Sequence, residues 1–408
     1  MESYKSPYYS RMYGGYTKKQ TEHIRTLISS SEGLEILDPM AGQAYALTEL
    51  TASHRLTLHD INPAALFFAR LHGIDPVVEA LNIKKAIKIL TMLKEKEISH
   101  SWPIFSNGWI SDYTKERIGE LFQFLSTEAR DNPFNSGQFW EITSCSTFLL
   151  AALLLSAREI TCYRRSKNAA WLRAGGAQQN NNVFSAMLNA LELWQGRTLE
   201  KYLARKFDIT CKPINLLNIE KNDSLYDFII TSPPYANRLD YSNLWGPELA
   251  LLGFAYAEDI DNIRLTQIGS PAVSGRSRIE IPDELISPSV LSTLRDIRDD
   301  GAYWSEGYYY PYFRNYIEEM ALGFSGLVRS LKPNGKMAIY FRDTIRKDKL
   351  LNVKELILHA CARGACVKSV YVDRELVTNH IGAVRSKRSA KMEHGTAQRE
   401  WCIVLERV

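Results

Sequence analysis

The sequence lacks the patterns typical of a secreted protein, of a membrane-spanning protein and of a protein with a structural metal site. Its six cysteines are scattered and form no Cys-x-x-Cys pair, which favours buried, reduced thiols over a disulfide framework or a zinc site, so we expect no bound metal. The polar start leads into no apolar leader, a pattern typical of a cytoplasmic protein. The longest apolar run, 148–155, is much shorter than the roughly 20 residues of a membrane helix. We therefore expect a core helix there and no membrane partner.

The sequence also lacks a strong net charge of either sign. Lys and Arg total 50 against 46 acidic residues, which gives a formal net charge of +4. A nucleic-acid partner would have to be held by a local basic surface rather than by overall charge. With 408 residues, of which 45% are hydrophobic, the chain can form one large α/β domain and a smaller lobe or insertion.

Near the start of the chain, short apolar segments alternate with helical ones. A predicted strand at 34–37 ends in Asp38-Pro39-Met40-Ala41-Gly42, a predicted helix follows at 44–52, and a second strand at 55–58 ends in His59-Asp60. Small residues in the first turn and an acid after the second strand are typical of nucleotide-binding folds. This succession predicts an α/β fold with a doubly wound, mostly parallel sheet.

A long helical stretch interrupts this sheet before strand patterns return. We expect residues 1–75 to form the first part of the cofactor-binding core, 76–205 a mostly helical insertion that is a candidate for target recognition, and 206–408 the second part of the core, with a variable region near 250–310. Within the insertion, 164–182 is predicted as a loop. The later predicted elements are strands at 207–214, 226–231, 336–341, 366–373 and 400–405 and helices at 310–331 and 353–363.

The strongest motif is Thr231-Ser232-Pro233-Pro234-Tyr235, directly after a predicted strand. Two consecutive prolines fix two φ angles and remove two backbone donors, so the loop is stiff and presents bare carbonyl groups. The Ser232 hydroxyl and the Pro233 carbonyl can each accept a hydrogen of an exocyclic base amine, and the Tyr235 ring can stack on the base. An ordinary proline loop is the alternative. The strand before it and the upstream turn favour a catalytic loop.

Two further signals indicate a nucleotide site. The small residues Ala41, Gly42 and Ala44 let a ligand approach the backbone, and the following helix start offers N–H groups to a carboxylate. An ordinary strand-to-helix turn would look much the same. Asp60 ends the next strand and can accept both ribose hydroxyls. Its alternative role is to cap the next helix, but Asn62 is the better cap.

These motifs together resemble the amino-methyltransferases that modify cytosine N4 or adenine N6 in DNA, and the stretch 232–241 looks like a subgroup of bacterial modification methylases. The resemblance implies a class I S-adenosylmethionine-dependent methyltransferase of Rossmann-like fold. It also implies double-stranded DNA with a flipped target base as the substrate, and a cognate restriction endonuclease as a candidate partner. It indicates no oligomeric state.

Carried over by position, the resemblance places the methionine end of S-adenosylmethionine at the turn 38–42. It places the ribose at Asp60 and the adenine near Asn215. The implied cofactor-binding residues are Tyr16, Thr17, Asp38, Pro39, Met40, Ala41, Gly42, Asp60, Ile61, Asn215, Leu216 and Thr231. The implied catalytic residues are Ser232, Pro233, Pro234 and Tyr235.

Two positions depart from the family pattern. Ala44 replaces a usual second glycine, and we expect alanine to be tolerated there at ordinary backbone angles. Asn215 replaces a frequent acid, and its amide could still bond the adenine amine.

The residue at the start of the catalytic loop bears on the target base. Serine at this place favours cytosine N4 over adenine N6 among the resembling enzymes. An RNA base amino-methyltransferase and a catalytically silent protein that binds the cofactor or nucleic acid remain as alternatives. No cysteine follows a proline, so we expect no thiolate intermediate of carbon-5 methylation.

Two segments could contact the nucleic acid. The first mixes basic and aromatic residues suited to phosphates and bases, and the second follows the catalytic loop. The candidate substrate-binding residues are Arg164, Arg165, Lys167, Trp171 and Arg173 in the first segment, and Asn237, Arg238, Asp240 and Tyr241 in the second. A solvated surface is the alternative for the first segment and for a second basic loop at 385–391.

Overall fold

The computed structural model describes residues 18–28, 31–44, 47, 53–71, 76–95, 108–128, 145–165, 172–178, 182–198, 208–219, 225–237, 239–252, 257–274, 281–301, 304–346, 349–373 and 400–408. Within them the helices are α1 (Lys18–Ile28), α2 (Pro63–Leu71), α3 (Pro76–Lys94), α4 (Asp112–Glu128), α5 (Cys145–Leu155), α6 (Ala157–Ile160), α7 (Val183–Thr198), α8 (Tyr241–Leu244), α9 (Gly246–Leu251), α10 (Ala257–Thr266), α11 (Pro288–Arg298), α12 (Tyr310–Leu327) and α13 (Val353–Gly364). The strands are β1 (Glu35–Asp38), β2 (Arg55–His59), β3 (Cys162–Arg165), β4 (Leu172–Gln178), β5 (Asp208–Lys212), β6 (Tyr226–Thr231), β7 (Leu331–Arg342), β8 (Thr344–Arg346), β9 (Lys349–Leu351), β10 (Val367–Asp373) and β11 (Glu400–Arg407).

Seven strands form the central sheet, in the order β10-β11-β7-β6-β1-β2-β5. β1 pairs in parallel with β2 and β6, and β6 pairs in parallel with β7. β11 runs antiparallel to both β7 and β10. Leaving out β10 and β11, the chain order across the sheet is third, second, first, fourth, fifth, as in doubly wound nucleotide-binding folds. The predicted Rossmann-like, mostly parallel sheet is confirmed.

A bulge in β7 departs from the prediction. The sequence predicts a strand at 336–341, but the strand begins at Leu331 and contains the tetrapeptide Lys332-Pro333-Asn334-Gly335. The pairing with β6 jumps from Tyr226↔Leu331 to Phe228↔Lys336. Asn334 lies in the left-handed region at φ 64°, where asparagine is tolerated better than most residues. The residues of the tetrapeptide are typical of a turn, but here they form a bulge within β7.

Side-chain caps begin several of the helices, among them α2, α11 and α13. The Asn62 Oδ1 accepts the N–H groups of Ala64 and Ala65 at 3.0 and 3.3 Å, so the structure confirms that Asn62 caps α2. Ser287 Oγ accepts from Val290 in α11, and Asn352 Oδ1 accepts from Glu355 in α13. Each cap satisfies a backbone donor that the first helical turn leaves open.

The contacts of the chain group it into two compact units, a sheet unit and a helical unit. The sheet unit comprises the described residues of 15–61, 212–240 and 264–408. Its core surrounds α12, where Met320 and Phe324 are fully buried together with Ile229 of β6 and Ile339 of β7. The core packs against the central strands β6 and β7 and so holds the ends of these strands in place.

The helical unit comprises the described residues of 62–211 and 241–263. Its centre is α5, which is buried from Thr147 to Leu154, as predicted for a core helix. The Phe148 ring packs on Trp194 of α7, with ring centroids 5.3 Å apart. In the part of the chain that the structure describes, no helix combines the length and apolarity needed to span a bilayer.

A two-stranded antiparallel ribbon, β3 with β4, belongs to the helical unit. The sequence-based prediction of a loop at 164–182 is wrong for β4. The strand reads Leu-Arg-Ala-Gly-Gly-Ala-Gln, in which small residues replace the branched and aromatic ones that mark strands. Gly176 permits the pairing, because a Cβ there would overlap the Tyr163 carbonyl.

Candidate functional site

The register of the central strands brings the predicted motifs to one edge of the sheet. Leu37 pairs with Ile229 between β1 and β6, and Asp38 pairs with Leu58 between β1 and β2. Asp60 therefore follows β2, and Ser232 follows β6, on the two sides of the turn after β1. Adjacent strands lie about 5 Å apart. The two turns and the proline loop thus meet at the carboxyl edge, where open α/β sheets bind ligands.

The turn after β1 is bonded directly to the end of β2. Gly42 N–H donates to Asp60 Oδ2 at 2.8 Å, and Ala41 N–H donates to the His59 carbonyl at 2.9 Å. Asp38 is fully buried, and its Oδ1 accepts from Met40 N–H at 3.1 Å. One carboxylate shapes the turn and another ties it to the next strand. Their contacts with a cofactor remain predictions.

The conformation of Ala44 corrects one expectation. Ala44 lies at φ 49°, in the left-handed region, as does Gly42 at φ 51°. Alanine is therefore not held at ordinary backbone angles here, and its Cβ carries the steric cost that glycine avoids. The departure from the usual glycine is a source of strain in the turn.

We expect Ala44→Gly to raise the free energy of unfolding of the sheet unit by about 1 kcal/mol, because glycine removes the left-handed strain. Urea denaturation followed by circular dichroism measures the change. Ala362→Gly, on the exposed face of α13, is the matched control and should lower stability by about 1 kcal/mol. A loss of stability in both variants would contradict the strain at Ala44.

Buried polar atoms without partners lie at the same edge. Gln43, within the turn, is 1% exposed, and neither its amide nitrogen nor its oxygen has a hydrogen-bond partner among the described residues. The Thr231 hydroxyl, at the end of β6, is fully buried and is likewise unpaired within that part of the chain. Unpaired buried polar atoms cost about 1–3 kcal/mol each. They fit a polar ligand that would complete their hydrogen bonds.

His59 is the third such group. Its ring is 4% exposed, and neither nitrogen has a partner among the described residues. Burial, together with the positive charge of Lys212, lowers the pKa of His59 to about 4. The ring is therefore neutral at physiological pH.

Contacts from several elements hold the proline loop. The Pro234 carbonyl accepts the Tyr316 hydroxyl of α12 at 3.1 Å. Gly269, at φ 70°, packs against the same two residues, since a Cβ there would lie 3.2 Å from Tyr316 Cδ2 and 3.9 Å from Pro234 Cβ. The Arg342 guanidinium, at the end of β7, lies 5.1 Å from the centroid of the Tyr235 ring. A cation at this distance favours one ring orientation.

Asn215 and Leu216 are tied to neighbouring segments of the sheet unit. The Asn215 Oδ1 accepts from Leu217 N–H at 3.0 Å, and its Nδ2 donates to the Thr266 carbonyl at 2.7 Å. Leu216 is 4% exposed and packs against Gly323 of α12. The Asp60 N–H donates to the Lys212 carbonyl at 3.4 Å, which places the segment after β5 at the same edge. Both side-chain amide atoms of Asn215 are thus already hydrogen-bonded, so the predicted bond to adenine would have to be made in addition to these bonds.

The segment after the catalytic loop has mixed roles. Asn237 is exposed, and its Oδ1 accepts from Leu239 N–H at 3.2 Å. Asp240 is 2% exposed and forms an ion pair with Arg264 at 2.7 Å. Tyr241 is partly exposed and begins α8. The structure therefore gives Asp240 a supporting role, and its predicted contact with the base remains a prediction.

Several other predicted residues lie in the ribbon or outside the described residues. Arg164 and Arg173 are exposed and directly opposite each other in β3 and β4, and Arg165 is the next residue of β3. The predicted site residues that lie outside the described residues are Tyr16, Thr17, Lys167, Trp171, Arg238 and the basic loop 385–391.

Three of the cysteine thiols are placed for packing rather than for nucleophilic chemistry. Burial raises the pKa of Cys145 to about 11 and that of Cys211 to about 12. Burial also raises the pKa of the fully enclosed Cys361. Among the described residues, no group of three or more His, Cys, Asp or Glu side chains could hold a metal ion.

Sequence reasoning missed the residues that support the site from a distance. Tyr316, Gly269 and Arg342 reach the proline loop from segments far away in the chain, and no local pattern marks them. Gln43 carried a signal that could have been used, because it is the only large polar residue in a turn of small ones.

No family model matches the chain. It is 30% identical over 146 residues to the Type II methyltransferase M.BsoBI of Geobacillus stearothermophilus, in an alignment that covers 31% of this chain and 28% of that protein. The chain thus spans little more than a quarter of that relative's length. Among solved structures, it is similar to the rRNA methyltransferase aviRa from Streptomyces viridochromogenes, with 9% identity, a TM-score of 0.31 and coverage of 99% of this chain and 90% of the other. The fold assignment rests on the strand order alone.

Proposed function

We propose that the chain transfers a methyl group from S-adenosylmethionine to the exocyclic N4 amine of cytosine in double-stranded DNA. The observation that carries the proposal is the strand register, which brings the turn after β1, Asp60 and the loop from Ser232 to Tyr235 to one edge of the sheet. S-adenosylmethionine is the cofactor of the class I fold. The partial similarity to a Type II methyltransferase supports DNA as the substrate.

The first turn and its neighbours fit this cofactor. Space lies open above Gly42, because a Cβ there would meet no described atom within 4 Å. Gln43 and Thr231 carry buried polar atoms that lack partners among the described residues. Asp60 presents a carboxylate beside the turn, suited to ribose hydroxyls. The methionine end would therefore lie over 40–42 and the ribose at Asp60.

The proline loop would hold and orient the target amine. When bound, S-adenosylmethionine supplies an activated methyl group on its sulfonium. The Ser232 hydroxyl and the Pro233 carbonyl would accept the two amine hydrogens and so turn the nitrogen lone pair toward that methyl. Tyr235, with Arg342 over its ring, would stack on the flipped base. Ser232 and Pro233 would hold the amine while it gains the methyl group, and the proton released from the nitrogen would pass to water.

Two measurements on the full chain test the proposal. Isothermal titration with S-adenosylmethionine measures cofactor binding, and incubation of the chain, radiolabelled cofactor and unmethylated DNA or RNA, followed by nucleoside analysis, identifies the methylated base. We expect label in N4-methylcytosine of DNA. Label in N6-methyladenine would correct the base, label in RNA the substrate, and binding without transfer would indicate a silent cofactor-binding protein.

We expect Gly42→Ala to weaken S-adenosylmethionine binding about tenfold, because the added methyl enters the space assigned to the cofactor. Gly33→Ala is the matched control. Gly33 has φ 70°, and a Cβ there would also meet no described atom within 4 Å. Both variants carry similar backbone strain, but Gly33 precedes β1 and so lies at the opposite edge of the sheet. Equal losses of cofactor affinity would count against the assignment of the turn.

A further inference from the structure

The β3–β4 ribbon has one face turned inward and one turned to solvent. Along β4, Arg173, Gly175 and Ala177 are exposed, whereas Leu172 is buried and the alternate residues after it are partly covered. Arg164 is exposed on β3, directly opposite Arg173. The outer face therefore presents two guanidinium groups beside very small side chains, so another backbone can approach it closely.

The inner side of the ribbon is anchored to the segment before α4. The Gly108 carbonyl accepts from Gly175 N–H at 2.9 Å, and the Trp109 carbonyl accepts from Cys162 N–H at 2.6 Å. Ser111 Oγ donates to Gln178 Oε1 at 2.6 Å. Bonds along both strands hold the ribbon in place. The two arginines are thus presented by a fixed element rather than by a loose loop.

The pair of arginines is unfavourable by itself. Like charges directly opposite each other in an antiparallel pair repel and lower stability. The structure gives neither guanidinium an ion pair or a hydrogen bond with any described residue. An anion with several oxygens would remove the repulsion and accept from both groups. Such a face suits the repeated phosphates of a nucleic acid.

We infer that the outer face of the β3–β4 ribbon docks on the backbone of duplex DNA at the major groove, with Arg164 and Arg173 each contacting a phosphate. The inference rests on the proposed function, for which it specifies the nucleic acid. The major groove of B-form DNA admits a two-stranded β-ribbon. The major groove of A-form RNA is too deep and narrow to be read in this way.

Fluorescence anisotropy of a labelled DNA duplex of about two helical turns, titrated with the full chain over a range of salt concentrations, tests the inference. We expect Arg164→Ala/Arg173→Ala to weaken binding at least about tenfold at 0.1 M salt and to reduce the slope of log affinity against log salt by about 2, since two phosphate contacts are lost. In transfer assays the KM for DNA should rise while kcat stays unchanged. Arg164→Lys/Arg173→Lys should keep most of the slope.

Arg295→Ala/Arg363→Ala is the matched control. It removes two exposed arginines from α11 and α13 and should change duplex affinity less than about twofold. Thermal melting of each variant confirms that it folds. Equal affinity and equal salt slope for the ribbon variant and the unaltered chain would overturn the inference. A loss of affinity seen only with an RNA duplex of the same sequence would also overturn it.

The two proposals can fail separately. If the unaltered chain transfers no methyl group to DNA but its duplex binding still depends on the two arginines, the methyltransferase proposal fails and the ribbon inference stands. If transfer to DNA is robust and the ribbon variant shows an unchanged KM and salt slope, the ribbon inference fails and the methyltransferase proposal stands.

Discussion

Ser232→Ala is expected to lower the rate of methyl transfer to DNA by roughly a hundredfold or more, with little change in the affinity for S-adenosylmethionine. The hydroxyl would hold the target amine in the transition state, and removal of one such positioned group typically costs that much in rate. The alanine Cβ keeps the loop conformation, because the two prolines and the Tyr316 bond to Pro234 still hold it. Single-turnover transfer with saturating cofactor and DNA measures the effect.

Ser289→Ala serves as the control, since Ser289 is exposed on α11 and the side-chain change is identical. Tyr235 offers a second comparison within the loop. Tyr235→Ala should raise the KM for DNA, because stacking on one base contributes about 1–3 kcal/mol, whereas Tyr235→Phe keeps the ring and should stay close to the unaltered chain. Unchanged transfer per bound cofactor in Ser232→Ala, accompanied by lost cofactor binding, would contradict the assigned role of the loop.

The stability of the sheet unit is expected to fall as pH falls from about 6.5 toward about 4, because of His59. In the folded chain its pKa is lowered to about 4, first by burial and second by Lys212, from an ordinary value of 6.5. Between these values the unfolded chain binds a proton that the folded chain does not, so stability decreases as pH falls. The loss should reach about 2 kcal/mol between pH 7.5 and pH 5.

Urea denaturation at a series of pH values, with His59→Gln beside the unaltered chain, isolates this contribution. The variant carries no titrating ring and should lose less stability over the same pH range. His359→Gln makes the same substitution at a partly exposed ring on α13 and is the matched control. Parallel stability curves for the unaltered chain and His59→Gln would mean that the buried ring is not neutral in the folded state.

The parts of the fold that the sequence predicts are those whose signals are local. β6 runs from Tyr226 to Thr231, as the branched and aromatic residues predict, and β1, β2 and β5 lie within one or two residues of their predicted positions. The turn at 38–42 and the loop at 231–235 are predicted from their prolines, from Gly42 and from their place after a strand. Parallel pairing then requires the ends of these strands to share one edge.

The remaining features depend on contacts between distant parts of the chain. β4 is a strand because it pairs with β3 and rests on 108–111, although its glycines and alanines carry no strand pattern. The left-handed angle of Ala44 follows from a turn that is tied to Asp60 and His59. Tyr316 and Arg342 acquire their relation to the proline loop only when α12 and β7 pack beside β6. The sequence around each of these residues does not predict its contact with a distant segment.

The short stretch 264–269 reaches three parts of the edge at once. Arg264 pairs with Asp240, the Thr266 carbonyl accepts from Asn215, and Gly269 packs on Pro234. Lengthening or shortening this stretch by a single residue would disturb all three neighbours together. Attempts to retune base preference by grafting segments should therefore join the foreign piece before Arg264 or after Gly269, since a junction between them would confound altered selectivity with a damaged scaffold.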